Sequence, residues 1–103
     1  MARKGLVLQV CPRRPAGVAA PRVGFTASRK VGGAVERNRA RRRLRAAVDR
    51  IMPAHAVPET DYVVIARMAT LSRDFPGLLA DLESAMRALD AWQGNGATAE
   101  AGE

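Results

Sequence analysis

The chain has 103 residues, which is enough for one domain with a single modest hydrophobic core. It carries 17 Lys and Arg residues against 10 Asp and Glu, so its formal net charge is +7. This excess of basic residues disfavours neutral or basic partners and indicates a polyanion. The chain has only two Phe, one Trp and one Tyr, so phosphate contacts, rather than base stacking, must supply most of the affinity for a nucleic acid.

The charge is divided unevenly between the two halves of the chain. Residues 1–50 hold 14 basic and two acidic side chains, whereas residues 51–103 hold three basic and eight acidic ones. The first half is therefore predicted to face the polyanion. A single cysteine leaves no disulfide and no cysteine-based metal site, and no apolar run reaches the length of a membrane span. These features predict a soluble cytoplasmic protein with no membrane partner.

The chain begins with a predicted strand and loop. Residues 5–11 form an apolar run typical of a strand buried on at least one face, and its last residue, Cys11, is expected to be partly buried rather than nucleophilic. Residues 12–21 contain three prolines and predict a loop that joins two hairpin partners.

Residues 22–28 alternate in the manner of a second strand. Val23, Phe25 and Ala27 are expected to face a core. The opposite side is small and polar, which suits close approach of an extended RNA strand, although an ordinary solvent-facing sheet surface explains it about as well. The residues of this possible cleft are Arg22, Gly24 and Thr26.

The densest basic stretch, residues 28–45, holds eight Lys or Arg residues against one acid, Glu36. A helix is predicted from about Ala34, and its apolar residues recur at three- and four-residue spacing on one side. Three arginines fall well away from that side, so one face is predicted to be buried and the other to contact a dense array of anions. The apolar set is Ala40, Leu44, Ala47, Val48 and Ile51, and the arginines are Arg39, Arg42 and Arg45, with Asn38 and Asp49 near them.

The rest of the chain predicts a central strand and a second helix. Pro53 is expected to end the basic helix, which places His55 in the following loop. Residues 60–67 read as a strand with the near-continuous apolar character of a central position. A helix then follows, capped by Asp74 with Pro76 in its first turn. Residues 94–103 are predicted to be a disordered tail, which leaves one domain at residues 1–93. The order predicts an α+β fold, an α-β sandwich with a small β-sheet packed by helices on one side.

No set of residues in the sequence predicts hydrolytic chemistry. The basic half has only two acids, Glu36 and Asp49, and they are separated by arginines. There is also no histidine pair, no zinc spacing and no phosphate-binding loop. We therefore predict that the protein has no catalytic and no metal-binding residues of its own.

Two linked motifs resemble the protein component of bacterial ribonuclease P. Residues 22–32, RVGFTASRKVG, are similar to that family's strand, and residues 34–42, AVERNRARR, are similar to its helix with the RNR signature. Residues 61–67, DYVVIAR, resemble the family's next strand, and the likeness runs in order from about residue 6 to residue 89.

The resemblance implies an endoribonuclease subunit that acts in tRNA 5′ processing. In this family the RNA subunit performs Mg²⁺-dependent cleavage, and the protein helps to bind the 5′ leader of precursor tRNA. The expected partners are the catalytic RNA and precursor tRNA, with Mg²⁺ in the holoenzyme and no cofactor held by the protein alone. The resemblance also implies a left-handed βαβ crossover, although chain physics alone favours a right-handed one. By position it implies RNA contacts for Arg29, Lys30, Arg37, Asn38, Arg39, Arg41, Arg42 and Arg45.

The sequence departs from the family pattern in two ways. Ala40 and Arg43 stand where the family usually has larger apolar residues, which leaves the role of Arg43 open. Family members also open with a helix and a short strand, and Met1 begins after that point. We therefore expect an exposed sheet face and edge strand, and either self-association or poor discrimination between precursor and mature tRNA.

Two other functional classes remain as alternatives. The first is a non-catalytic RNA-binding module, such as a ribosomal protein or an RNA chaperone, that uses the same basic helix without accelerating any processing step. The second is a DNA-binding regulator with the arginine helix in the major groove, although no second short helix precedes it. Reconstitution with the matching catalytic RNA at low magnesium would distinguish the three.

Overall fold

A computed structural model describes residues 1–12 and 21–93, so the predicted tail and most of the predicted first loop lie outside the described residues. The chain forms strands β1 and β2, helix α1, strand β3, a short 3₁₀ turn and helix α2, which confirms the predicted α+β order. Their bounds are β1 Leu6–Pro12, β2 Arg22–Thr26, α1 Ala34–His55, β3 Thr60–Ala66, the 3₁₀ turn Met68–Thr70 and α2 Phe75–Ala88.

The sheet has the order β1-β3-β2, with β1 antiparallel and β2 parallel to the central strand β3. The prediction that β3 is central is confirmed. The prediction that β1 and β2 are hairpin partners is wrong, because β3 lies between them and pairs with both. The parallel β2–α1–β3 unit places β3 beside β2, and the apolar run of β3 suits a strand with two neighbours. The hand of this crossover stays a prediction.

The core lies between one face of the sheet and both helices. Alternate residues of β3 are buried on that face, as in Tyr62 and Val64. The predicted apolar side of α1 is confirmed, including the small residue Ala40. The helices bury Ala40, Leu44, Ala47, Val48 and Met52 from α1 and Leu78, Leu82, Ala85 and Met86 from α2.

No helix in the described parts of the chain is both long and apolar enough to cross a membrane.

Helix α1 begins where it was predicted but ends later. Gly33 is its N-cap residue, and the Gly33 N–H donates to Oε1 of Glu36 at 2.9 Å. Gly32 has φ of 145°, a conformation that favours glycine. Pro53 lies inside the last turn of α1 and does not end the helix, contrary to the prediction, although it has no N–H to donate. The Ala56 N–H still donates to the Met52 carbonyl at 2.9 Å, and this bond closes the last turn.

His55, which was predicted to lie in a loop, is the last residue of α1. Its ring stacks on Trp92 with 3.9 Å between the ring centroids. The Gln93 N–H also donates to the His55 carbonyl at 2.9 Å. These contacts join the end of α1 to the segment that follows α2.

The start of the chain runs back along β1. The Leu8 N–H donates to the Met1 carbonyl at 2.9 Å, and the Arg3 N–H donates to the Leu6 carbonyl at 2.8 Å. The outer edge of β1 is therefore covered at Leu6 and Leu8, so the predicted exposed edge does not include this part of the strand. Cys11, predicted to be partly buried, is exposed near the end of β1. Self-association stays a prediction.

Two buried side chains, Thr70 from the turn after β3 and Asp81 from α2, bind the backbone of Gly5 just before β1. Thr70 Oγ1 donates to the Gly5 carbonyl at 2.6 Å, and Asp81 Oδ2 accepts from the Gly5 N–H at 2.9 Å. Asp81 also accepts from Arg73 Nε at 3.1 Å. A Cβ at position 5 would lie 2.7 Å from Leu78 Cδ2, so the close packing here requires glycine.

Replacing Tyr62 by phenylalanine is expected to lower the free energy of unfolding by about 1–3 kcal/mol. Tyr62 is 1% exposed, and its hydroxyl donates to the Ala91 carbonyl and accepts from the Val57 N–H, both at 2.8 Å. The variant leaves both backbone groups without this partner. Chemical denaturation of the two proteins at neutral pH measures the difference.

The same pair of proteins should differ in alkali. Burial raises the pKa of the Tyr62 hydroxyl above its ordinary value of 10.0. The unfolded chain therefore ionises first, so the wild-type protein keeps this stability below about pH 10 and loses it as the pH rises further. The Tyr62→Phe protein lacks that component of the loss. A stability difference that does not shrink above pH 10 would contradict the assignment.

Candidate RNA interface

The solvent-facing side of α1 carries most of the residues for which RNA contact was predicted. Four of them line one shallow groove together with Val35, an apolar residue that is 74% exposed. Arg39 is exposed beside this groove, and Arg37 is half-buried in the first turn. Arg29 and Lys30 are exposed in the turn that precedes the helix. The groove has a volume of about 510 Å³, and the four residues are Asn38, Arg41, Arg42 and Arg45.

These arginines are not neutralised by acids in the part of the chain that the structure describes. The ion pairs found there lie elsewhere, between Arg22 and Asp61, between Arg73 and two aspartates, and between Arg87 and Glu83. Glu36, the one acid of the basic stretch, accepts from the Gly33 N–H instead. The helix therefore presents a row of uncompensated positive charges, which attracts a polyanion.

Neutral contacts restrain several of the same side chains. Arg41 Nη2 donates to Oδ1 of Asn38 at 2.7 Å, and the Arg45 guanidinium lies over the Phe25 ring with its Cζ 5.0 Å from the centroid. Asn38 lies within the helix, one turn after the N-cap Gly33, so it does not cap the helix. Its amide instead orients an arginine. The side chains are thus partly fixed while their charges remain available.

Arg43 is not part of this charged face, because its side chain binds backbone carbonyls of the protein. Its Nε donates to the Thr70 carbonyl at 2.9 Å, and its Nη2 donates to the Arg73 carbonyl. The side chain is half-buried against the turn between β3 and α2. Arg43 therefore joins α1 to that turn through hydrogen bonds, and this is the role that the sequence left open.

Arg43→Ala is expected to change the stability of the protein but not its RNA binding, and Arg42→Ala is expected to change RNA binding but not stability. Loss of Arg43 leaves two backbone acceptors without partners and should lower the free energy of unfolding by about 1–3 kcal/mol. It should leave the salt dependence of RNA binding unchanged. Arg42→Ala should instead preserve stability and shallow the slope of log K against log salt by about one unit or less. Denaturation and RNA titrations of both variants measure this, and a shallower slope for Arg43→Ala would contradict the assignment.

A second cationic concavity lies where the parallel strands β2 and β3 end. It has a volume of about 440 Å³ and brings together Lys4, Lys30 and Arg67. Arg67 Nη1 also donates to the Arg3 carbonyl at 2.6 Å. Of the three cations, only Lys30 was predicted. Lys4 and Arg67 are far apart in sequence and have no motif spacing, so only the sheet topology reveals them.

The sheet face away from the helices holds the predicted cleft residues. Arg22, Gly24 and Thr26 are exposed there, and a Cβ at Gly24 would meet no atom within 4 Å. Arg22 is not a free cation, since its Nε lies 3.0 Å from Oδ1 of Asp61. This carboxylate raises the pKa of the Arg22 guanidinium. The face is therefore open and has small side chains at Gly24 and Thr26, but it carries less positive charge than the α1 groove.

Across residues 1–12 and 21–93, no three His, Cys, Asp or Glu side chains are grouped in a way that would hold a metal ion. The chemistry that the described residues offer is anion binding by guanidinium and ammonium groups.

Solved structures share this fold. The chain is similar to the ribonuclease P protein of Staphylococcus aureus, with a TM-score of 0.72 and 24% identity over 89% of this chain and 81% of that one. It is also similar to the Thermotoga maritima ribonuclease P protein, with a TM-score of 0.69 and 23% identity over 85% of this chain and 80% of that one. At these identities the likeness shows the fold alone.

Sequence comparisons show the family. The chain is 51% identical over 94 residues to the ribonuclease P protein component of Paramagnetospirillum magneticum, covering 89% of this chain and 71% of that protein. It is 53% identical over 77 residues to the Caulobacter vibrioides protein component, covering 75% of this chain and 52% of that protein. A family model described as Ribonuclease P matches residues 1–90. The chain therefore belongs to the ribonuclease P protein family.

Proposed function

We propose that this chain is the RNA-binding subunit of a ribonuclease P holoenzyme and that it binds the catalytic RNA through the arginine face of α1. The observation that carries the proposal is the row of uncompensated arginines on a helix whose other face is buried in the core. Family membership supports the catalytic RNA as the partner, tRNA 5′ processing as the reaction and a ribonucleoprotein as the assembly.

The chemistry of the contact is phosphate recognition. Each guanidinium offers planar N–H donors that match the oxygens of a phosphate, and each neutralised phosphate releases condensed counterions. The α1 groove is lined by Arg41 and Arg42 and, one helical turn further on, by Arg45. Such a row suits a folded RNA backbone better than one isolated phosphate.

The cationic concavity and the open sheet face are proposed to bind the 5′ leader of precursor tRNA. Lys4, Lys30 and Arg67 supply positive charge at one end of the sheet. The small side chains of Gly24 and Thr26 allow an extended strand to lie close to the sheet. Contact with both RNAs would hold the leader near the catalytic RNA, since both sites lie on one small domain.

Cleavage itself is proposed to take place on the catalytic RNA. Mg²⁺ held by that RNA would activate the attacking water and stabilise the leaving oxygen. The protein's cations would reduce the repulsion between the two RNA backbones, so less Mg²⁺ should be needed for the same rate. The products would be the leader and a tRNA with a 5′ phosphate.

A reconstitution experiment tests this proposal. Precursor tRNA is incubated at low Mg²⁺ with the protein, with the catalytic RNA from the same genome, or with both. We expect cleavage only when both are present, and we expect Arg42→Ala to reduce the stimulation. Arg87→Ala, which removes one exposed arginine from α2, is the matched control and should behave as wild type. Cleavage by the protein alone would contradict the proposal. RNA binding without any stimulation would favour a non-catalytic RNA-binding module.

A further inference from the structure

We infer that Phe25 is a positioning residue for RNA binding, because its ring holds the Arg45 guanidinium over β2 with the N–H donors of that group free for a phosphate of the catalytic RNA. The inference rests on the proposed function and assigns a role within it to a residue of the sheet. Phe25 does not itself need to touch RNA.

The geometry places an aromatic ring under one arginine of the α1 face. Phe25 lies on β2 opposite Val64 of β3, half-buried on the side that faces the helices. Arg45 is exposed on α1, and its Cζ is 5.0 Å from the Phe25 ring centroid. A cation within about 6 Å of a ring centroid is attracted by the negative face of the ring. Phe25, at the edge of the core, therefore holds Arg45, which lines the α1 groove.

The ring restrains Arg45 in a way that hydrogen bonds would not. A guanidinium has five N–H donors, and an aromatic ring offers them no oxygen acceptor, so this contact leaves the donors available for a phosphate. Arg45 makes no hydrogen bond or ion pair within the described residues, whereas two of the donor groups of Arg43 are bound to carbonyls. Arg41 likewise donates to Asn38. Arg45 thus combines restraint with free donors.

Such restraint should improve affinity. A free arginine side chain loses rotamer freedom when it is fixed against a phosphate, and that loss opposes binding. A side chain that is already held near its bound position loses less. The ring is about 20 residues away from Arg45 in sequence, so no local spacing marks the pair. The alternation of β2 predicts that Phe25 faces the core, which the structure confirms, but this pattern does not reveal that the ring meets an arginine there.

The test is a double-mutant cycle on the affinity for the catalytic RNA, measured at several salt concentrations. Phe25→Leu keeps an apolar side chain but removes the ring, and it should weaken binding about 2- to 5-fold. Its salt slope should stay as in wild type because no charge is lost. Phe25→Tyr should bind as wild type, because it restores the ring. In an Arg45→Ala protein, adding Phe25→Leu should have no further effect.

Val23→Ala is the matched control, since Val23 is another half-buried residue on the same side of β2. It should leave RNA affinity unchanged. Thermal unfolding of each variant shows that it is folded at the assay temperature, and Phe25→Met replaces Phe25→Leu if the latter is not.

Two results would overturn the inference: wild-type affinity in a folded ring-less variant, or a loss of affinity of equal size with and without Arg45. Either leaves the proposed function standing, provided that the wild-type protein binds the catalytic RNA and Arg45→Ala weakens that binding. A wild-type protein that does not bind the RNA would overturn the proposed function, and the inference with it.

Discussion

Replacing Arg39, Arg42 and Arg45 together by alanine is expected to weaken binding to the catalytic RNA by roughly 100-fold at moderate salt and to shallow the slope of log K against log salt by about two to three units. All three side chains are exposed on α1, and none pairs with an acid in the described parts of the chain. Each would give up one phosphate contact. Titrations of the RNA with both proteins across a series of salt concentrations measure the effect.

A triple lysine variant at the same positions is the control for charge. It keeps three cations but loses the planar fork of the guanidinium, so it should keep most of the salt slope and lose part of the affinity. Both triple variants should unfold at about the wild-type midpoint, because the side chains lie outside the core. An unchanged affinity and slope in the alanine variant would remove α1 from the interface.

Leu44→Ala is expected to have the largest effect on stability, a loss of roughly 2–5 kcal/mol in the free energy of unfolding. Leu44 is 0% exposed and belongs to the core that α1 shares with the sheet and α2. The change removes buried methyl groups and leaves a cavity between these layers. Denaturant titration monitored by circular dichroism measures the loss, and its midpoint should fall with little change in slope.

The matched control is Val35→Ala, because it also shortens an apolar side chain on α1. Val35 is 74% exposed, so its truncation should change the free energy of unfolding by no more than about 0.5 kcal/mol. Equal effects of the two substitutions would mean that α1 is turned with the wrong face toward the sheet.

The parts of the fold that could be predicted are those governed by local periodicity. The three- and four-residue spacing of Ala40, Leu44 and Ala47 defines the buried side of α1, and the structure buries all three. The apolar run of β3 indicates a central strand, which the sheet order confirms. The charged face of α1 follows from the same spacing, because the residues on the side of a helix that faces away from the core are exposed to solvent.

The parts that could not be predicted depend on contacts between distant residues. Pairing of β1 with β3 instead of β2 is a choice of topology, and no single strand encodes it. The concavity that joins Lys4 to Arg67 depends on that topology. Arg43 has the same residue type as its neighbours, and only its two carbonyl partners distinguish it. Pro53 lies in the last turn of α1, and the helix continues past it until the Ala56 N–H donates to the Met52 carbonyl, so proline alone does not mark the end of a helix.

Site-specific crosslinking tests the central claim most directly, namely that the exposed side of α1 is the surface that meets the catalytic RNA. Cys11 is replaced by serine, and a single cysteine carrying a photo-crosslinker is placed at Ala46 on α1 or at Ala80 on α2, both exposed alanines. We expect crosslinks to the catalytic RNA from position 46 that high salt abolishes, and few or none from position 80. Efficient crosslinking from position 80 with none from position 46 would contradict it.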